Sequence, residues 1–183
     1  MIQGAQLVLR GIETADLSDR HRWLNDPEVT GFFTNLGALP LPYEKLREWY
    51  DHMIHSDHEL HFSVFSLDGT HIGGAQLKTL DWKNRSAEFG MFIGEKNHWG
   101  KGYGTEITQM LVGYAFQRLN LHRVWLRVDP ENIGALRCYQ KAGFLQEGVF
   151  HEEVFRGGCY HDSFLMRILE DEWRSAGQPA IDG

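Results

Sequence analysis

The sequence predicts a mixed α/β domain, a sheet with helices on its faces. Three observations lead there: a strictly alternating run at Arg123 to Val128 (RVWLRV), helix-period apolar stripes in Tyr43 to Ser56 and Thr105 to Asn120, and the interleaving of the two kinds of segment. Read from the start, the order is strand, helices, three strands, helix, strand, helix, two strands. No composition shift separates a second unit, so residues 1–173 are expected to form one domain and 174–183 (RSAGQPAIDG, from Arg174) a polar, frayed tail.

Gly4 to Ile12 (GAQLVLRGI) reads as the first strand, followed by a helix over Leu17 to Leu24 that Thr14 caps and Asn25-Asp26-Pro27 stops. Gly31 to Pro42 is a loop of the length that lines sites. In Tyr43 to Ser56 the residues Leu46, Trp49, Tyr50, Met53 and Ile54 fall on one helical face. His61 to Leu67 and His71 to Leu80 flank Asp68-Gly69 as a hairpin, and Ala87 to Ile93 extends it to an antiparallel meander. Gly100 to Gly104 opens the helix from Thr105 to Asn120. Asp129-Pro130 breaks the strand at Arg123 to Val128, Asn132 to Ala142 is a short helix closed by Gly143, and Phe144 to Phe155 pairs with Tyr160 to Leu169 around Gly157-Gly158.

Composition narrows the function. The chain has 183 residues, with 18 Lys and Arg against 25 Asp and Glu, a net charge of -7. With no basic cluster, nucleic acid is not an expected partner, whereas an acidic surface suits a cationic small molecule. No 18-residue apolar run or leader-like segment occurs, so no membrane association and a cytoplasmic location are expected. Cys138 and Cys159 read as free thiols. His52, His55, His58 and His61 recur every third residue, but a helix ending near Ser56 scatters them, and no metal site is expected.

The segment His98-Trp99-Gly100-Lys101-Gly102-Tyr103-Gly104-Thr105-Glu106 carries the chemistry. Alternating glycines free the backbone to approach a ligand, and the helix behind them offers unpaired N-H groups and a partial positive charge to a phosphate. Lys101 is followed by Gly102 rather than Ser or Thr, which excludes a Walker loop; Thr105 and Ile107 stand where a dinucleotide fingerprint needs Gly.

Here the sequence resembles the GNAT superfamily of acyl-CoA-dependent N-acyltransferases, in its RimJ/RimL-like, spermidine-acetyltransferase-like branch. Trp99-Gly100-Lys101-Gly102-Tyr103-Gly104 is similar to the family's Gln/Arg-x-x-Gly-x-Gly/Ala loop, with Trp99 where Gln or Arg is usual. Asn132 to Phe144 resembles its Asn-x-x-(Ser/Ala)-x-x-x-Tyr-x-x-x-Gly-Phe segment, Ser86 to Ile93 its fourth strand, and Gly158 to Asp162 its closing stretch.

The resemblance implies a mostly antiparallel sheet splayed at the acyl-CoA site, with helices on both faces. It further implies that Met91, Phe92 and Ile93 border the pantetheine arm of acetyl-CoA, that Trp99 to Thr105 hold the pyrophosphate, and that Asn132 touches the arm. Tyr139 matches the acid that protonates the leaving thiolate. An alkylamine titrates near 10, so its proton needs an acceptor, and Glu88 is the candidate, directly or through water, provided its side chain faces the cleft.

The expected reaction is direct acetyl transfer from acetyl-CoA to a primary amine of a small cationic molecule in a ternary complex. A peptide N-terminus of a ribosomal or other protein is the alternative acceptor, and a non-catalytic acyl-CoA-binding module the alternative of another class. Homodimerisation is compatible with the family. Asp26 and Glu28, near the aromatics Trp23, Phe32, Phe33, Tyr43, Trp49 and Tyr50, are candidates to attract the acceptor's ammonium, and Cys138 is a weaker candidate nucleophile.

Overall fold

The computed structural model describes residues 1–33 and 39–177. A further strand, Ile2–Gln3 (β1), precedes the one expected at Gly4 to Ile12, which is shorter, Leu7–Gly11 (β2); the two form a tight hairpin in which the Gly4 amide donates to the Leu7 carbonyl. Thr14 is not the cap of the next helix. It lies in a 3-10 turn, and the Asp16 carboxylate reaches back to accept from the Glu13 amide at 2.9 Å.

Leu17–Leu24 (α1) ends where expected, but Asn25-Asp26-Pro27 also starts Pro27–Thr30 (α2). Asp26 accepts from the Glu28 amide, and Pro27 occupies the first turn, where its missing N-H costs nothing. Of the loop expected at Gly31 to Pro42, residues 34–38 lie outside the described residues.

Tyr43–Met53 (α3) is followed by Leu60–Ser66 (β3), His71–Asp81 (β4) and Ser86–Ile93 (β5), the expected meander. Tyr103–Gln117 (α4) crosses to Arg123–Val128 (β6), and Asn120, at φ 55°, stops the helix three residues before that strand. Ile133–Lys141 (α5), Leu145–Arg156 (β7) and Cys159–Leu169 (β8) complete the expected order. A last helix, Glu170–Ser175 (α6), has three acidic residues in its first turn and buries Trp173 against Phe116. Residues 178–183 of the expected tail lie outside the described residues.

The eight strands form one sheet in the order β1-β2-β3-β4-β5-β6-β8-β7, and every neighbouring pair is antiparallel except β5 with β6. Strand alternation sorts the side chains into two layers. Leu7, Leu9, Val64, Leu77, Ala87, Phe89, Val124 and Leu126 join α4 in the main core, while Leu17, Leu24, Leu46 and Met53 of α1 and α3 form a smaller cluster with Ile12.

The parallel pair positions the site. β5 and β6 share only three rungs, Ser86 with Arg123, Ala87 with Val124 and Glu88 with Trp125. Beyond Glu88 each strand runs on without the other, and the sheet opens into a wedge.

Candidate active site

A cavity of about 590 Å³ occupies that wedge. Gln76, Glu88, Gly90 and Phe92 line it on the α1 and α3 side, and Phe89, Met91, Asn132 and Tyr139 on the other, so it passes through the plane of the sheet. Just past β5 the Gly94 amide donates to the Ile72 carbonyl at 2.8 Å, and this fixes the ladder's phase. By antiparallel alternation the backbone groups of Phe89, Met91 and Ile93 point away from β4, toward the open wedge. The backbone of Phe92 faces β4 instead, and its ring lines the cavity.

Ile93 and the loop Trp99 to Thr105 do not line the cavity themselves; the loop adjoins it through Gly104, which lies against Met91 of the cavity wall. Gly100 and Gly102 have φ of 73° and 85°, and a Cβ on either would meet only open space, so both need glycine for their backbone conformation. Gly104 is different: it lies inside α4, and a Cβ there would come within 3.0 Å of Cys138 Sγ and Met91 Cε. Two glycines shape the loop, and the third allows α4 to pack on α5 and β5.

The Trp99 indole donates to the Ile93 carbonyl at 2.8 Å and ties the loop to the end of β5. That carbonyl is thereby already engaged. Tyr103 stacks on His98, while Lys101 and Thr105 stand with the glycines in the turn and first helical turn.

Glu88 faces the cavity on the α1 and α3 side, which settles the direction left open by its place in the strand. The residue is 6% exposed, with Lys78 Nζ at 3.5 Å and Arg127 Nη2 at 3.4 Å from the same oxygen, Oε1. Both contacts are at the long limit, and neither involves Oε2. Arg127 also holds Glu153 of β7 at 2.6 Å.

Tyr139 stands across the wedge on α5, edge-on to Phe89 at 5.9 Å and tilted against Phe144. Its hydroxyl has no hydrogen-bond partner among the described residues. Burial, with a smaller contribution from Cys138, pushes the phenol above its ordinary value, so it stays protonated at neutral pH.

Asn132 caps α5, its Oδ1 accepting from the Ala135 amide at 3.1 Å, which leaves the side-chain N-H groups to donate. Cys138 packs against Gly104 and the main core and does not line the cavity.

Asp26 and Glu28 are brought together, but by Lys96, whose ammonium lies 2.8 and 2.7 Å from their carboxylates. They are neutralised by a cation of the chain and do not line the cavity. The histidines diverge: His52 bonds the Glu48 carbonyl, His58 the Leu80 carbonyl, and only His61 reaches the cavity.

Sequence reasoning missed Arg20, Gln76, Lys78 and Arg127 in the cavity wall. A signal for Arg20 existed, since it shares a helical stripe with Leu17 and Leu24, the buried face of α1.

A model of the acetyltransferase (GNAT) domain matches residues 6–145, well over half of the chain. The chain belongs to the GNAT acetyltransferase family. It is 34% identical over 172 residues to spermidine N(1)-acetyltransferase of Vibrio cholerae, covering 92% of this chain and 96% of that protein. Its identity to the spermidine N(1)-acetyltransferase of Escherichia coli K12 is 33% over 168 residues, covering 90% and 87%. The crystal structure of the Vibrio cholerae spermidine N-acetyltransferase in complex with CoA and spermine superposes with a TM-score of 0.88 at 32% identity, covering 93% of this chain and 99% of that one. The GNAT fold expected from the motifs is therefore the fold of this acetyltransferase, splayed sheet included.

Proposed function

We propose that this enzyme transfers the acetyl group of acetyl-CoA to the primary amine of a small cationic acceptor by direct attack. The reading is carried by one observation: the cavity crosses the sheet between Glu88 and Tyr139, so a thioester entering from the glycine loop and an amine entering from the α1 and α3 side meet inside it. Spermidine and spermine, named with the relatives, belong to the acceptor class this implies.

In this reading the amides of Gly100 to Thr105 take the pyrophosphate, with the α4 dipole behind them. The arm lies along the outward edge of β5, bonding Met91 and the free amide of Ile93, and the Asn132 side chain donates to it. Phe92 contributes its ring to the acceptor side, and Trp99 holds the loop in place. Glu88, directly or through a water, takes the proton of the ammonium. The amine nitrogen attacks the thioester carbonyl, the C-S bond breaks as the Tyr139 hydroxyl gives its proton to the departing thiolate, and the second proton that the nitrogen sheds on becoming an amide restores the phenol.

Thiol release from acetyl-CoA against a panel of amines tests this. Release that depends on the amine is expected; acetyl-CoA binding with no turnover on any amine would refute it in favour of a binding module.

A further inference from the structure

Arg20 has no role in the reaction derived above, yet it is the most unusual group in the cavity wall. It is 6% exposed, and among the described residues its guanidinium makes no hydrogen bond and no ion pair. Its Nε is buried without a partner. Burial lowers its basicity from the ordinary arginine value to about 10, with Asp16 opposing, so it remains a cation at neutral pH.

Aromatic faces hold it in place instead, with Trp49 and Phe92 each 5.1 Å from the guanidinium carbon. A Cβ on Gly74 would lie 2.7 Å from Nη1, so glycine at this position is what makes room for the guanidinium against β4. His61, beside the same Trp49 ring, also has an unpartnered buried nitrogen, Nδ1. A buried, unpaired guanidinium costs free energy wherever it has no anion, and here it borders a cavity that admits a ligand.

We infer that Arg20 binds a carboxylate of the amine acceptor, making the preferred acceptor a basic amino acid rather than a plain polyamine. This rests on the transferase reading and sharpens its acceptor class: a diamino acid is still a small cationic amine, but it carries one carboxylate.

The register gives the length. Arg20 sits over the rung pairing Gly74 with Phe92, and Glu88 lies on the rung it shares with Lys78, four residues along β5 on the same face. Four residues of strand span about 13 Å. Subtracting a hydrogen-bond length of about 3 Å at each end leaves about 7 Å between the carboxylate and the reacting amine, the reach of a lysine-like chain. Gln76, on the rung between, lines the cavity at the middle of that span.

Matched pairs that differ only in the carboxylate isolate this interaction: lysine against cadaverine, and ornithine against putrescine, with spermidine alongside. Wild type is expected to favour lysine over cadaverine in kcat/KM by about tenfold or more, as a charge-assisted hydrogen-bonded pair supplies. In Arg20→Met, which keeps an unbranched apolar side chain in place of the guanidinium, that ratio should fall toward one, and Arg20→Lys should keep part of it. A ratio at or below one in wild type, or one that survives Arg20→Met, overturns the inference.

Calorimetry of the same pairs reads binding without turnover. Lysine binding that Arg20→Met abolishes supports the carboxylate subsite even if no amine is acetylated, whereas equal affinity for lysine and cadaverine overturns it. Silence of the whole panel in thiol release, with acetyl-CoA bound, counts against the transferase reading itself.

Discussion

Removing the Tyr139 hydroxyl separates catalysis from folding, because of how that group is buried. Its ring is packed against Phe89 and Phe144, while the hydroxyl meets no described partner. Tyr139→Phe keeps the ring contacts and deletes a hydroxyl that borders the cavity and makes no hydrogen bond to the described residues, so the fold loses no partner. Stability should therefore be unchanged or rise, by up to about 1 kcal/mol in urea unfolding. The rate behaves oppositely. If the phenol protonates the departing thiolate, its loss removes general-acid assistance of about 10²–10⁴-fold in kcat, or roughly 3–5 kcal/mol of barrier, with acetyl-CoA affinity preserved. Stopped thiol-release assays with saturating acetyl-CoA, run beside the unfolding curves, give both numbers on one preparation. Burial holds the phenol above its usual value, so the wild-type rate should show no alkaline loss from this group through pH 9. Activity within threefold of wild type, or a fall in activity matched by a fall in stability, would refute the assignment.

Three further outcomes are expected. Gly102→Ala forces a side chain onto a residue at φ 85°, a cost of about 1–2 kcal/mol, and should raise the KM for acetyl-CoA at least several-fold while leaving the unfolding midpoint within a few degrees; titration with CoA checks it. Trp99→Phe removes the bond to the Ile93 carbonyl, worth about 0.5–1.5 kcal/mol, and should weaken acetyl-CoA binding a few-fold by loosening the loop. Asp16 is held by Arg10 at 2.7 Å, Ser63 and the Glu13 amide; burial pushes its carboxyl up, and these partners together bring it below its ordinary value. A depressed carboxylate stabilises above its unfolded pKa of about 4 and loses that contribution as pH falls through the folded value. Acid unfolding of the wild type should include this loss, and Asp16→Asn should cost about 3–5 kcal/mol at pH 7 and flatten the dependence below pH 4.

The strands and the glycine loop were legible because their signals are local. Asp68-Gly69 marks its hairpin within four residues: Gly69 has φ of 85°, and Ser66 and Thr70 close the turn. The cavity was legible only in part. Alternation could state that Glu88 and Phe89 point opposite ways, but which face α1 and α3 cover depends on the packing of residues more than 30 positions away. Asp26 and Glu28 looked available because Lys96, about 70 residues on, is invisible to a local reading. The last helix was missed because Tyr160 to Leu169 reads as strand up to the residue before Glu170, and a six-residue helix has too few turns to show a period. Pro27 reads locally as a stop, although the same chemistry that ends one helix can begin the next.

The three-rung junction between β5 and β6 also divides the molecule in the time domain. Residues 2–93 carry five strands joined in sequence order, and residues 123–169 carry the other three, so the two ladders share only the rungs at Ser86 to Glu88, with the Arg85 carbonyl accepting from the His122 and Arg123 amides just before them. Amide exchange should therefore report two cooperative opening units rather than one, with the seam between them the first ladder to part. A pantetheine arm lying along the outward edge of β5 adds the backbone bonds that this seam lacks. Ligand binding should then slow exchange on both sides of the seam together, joining two units that open separately into one that opens as a whole.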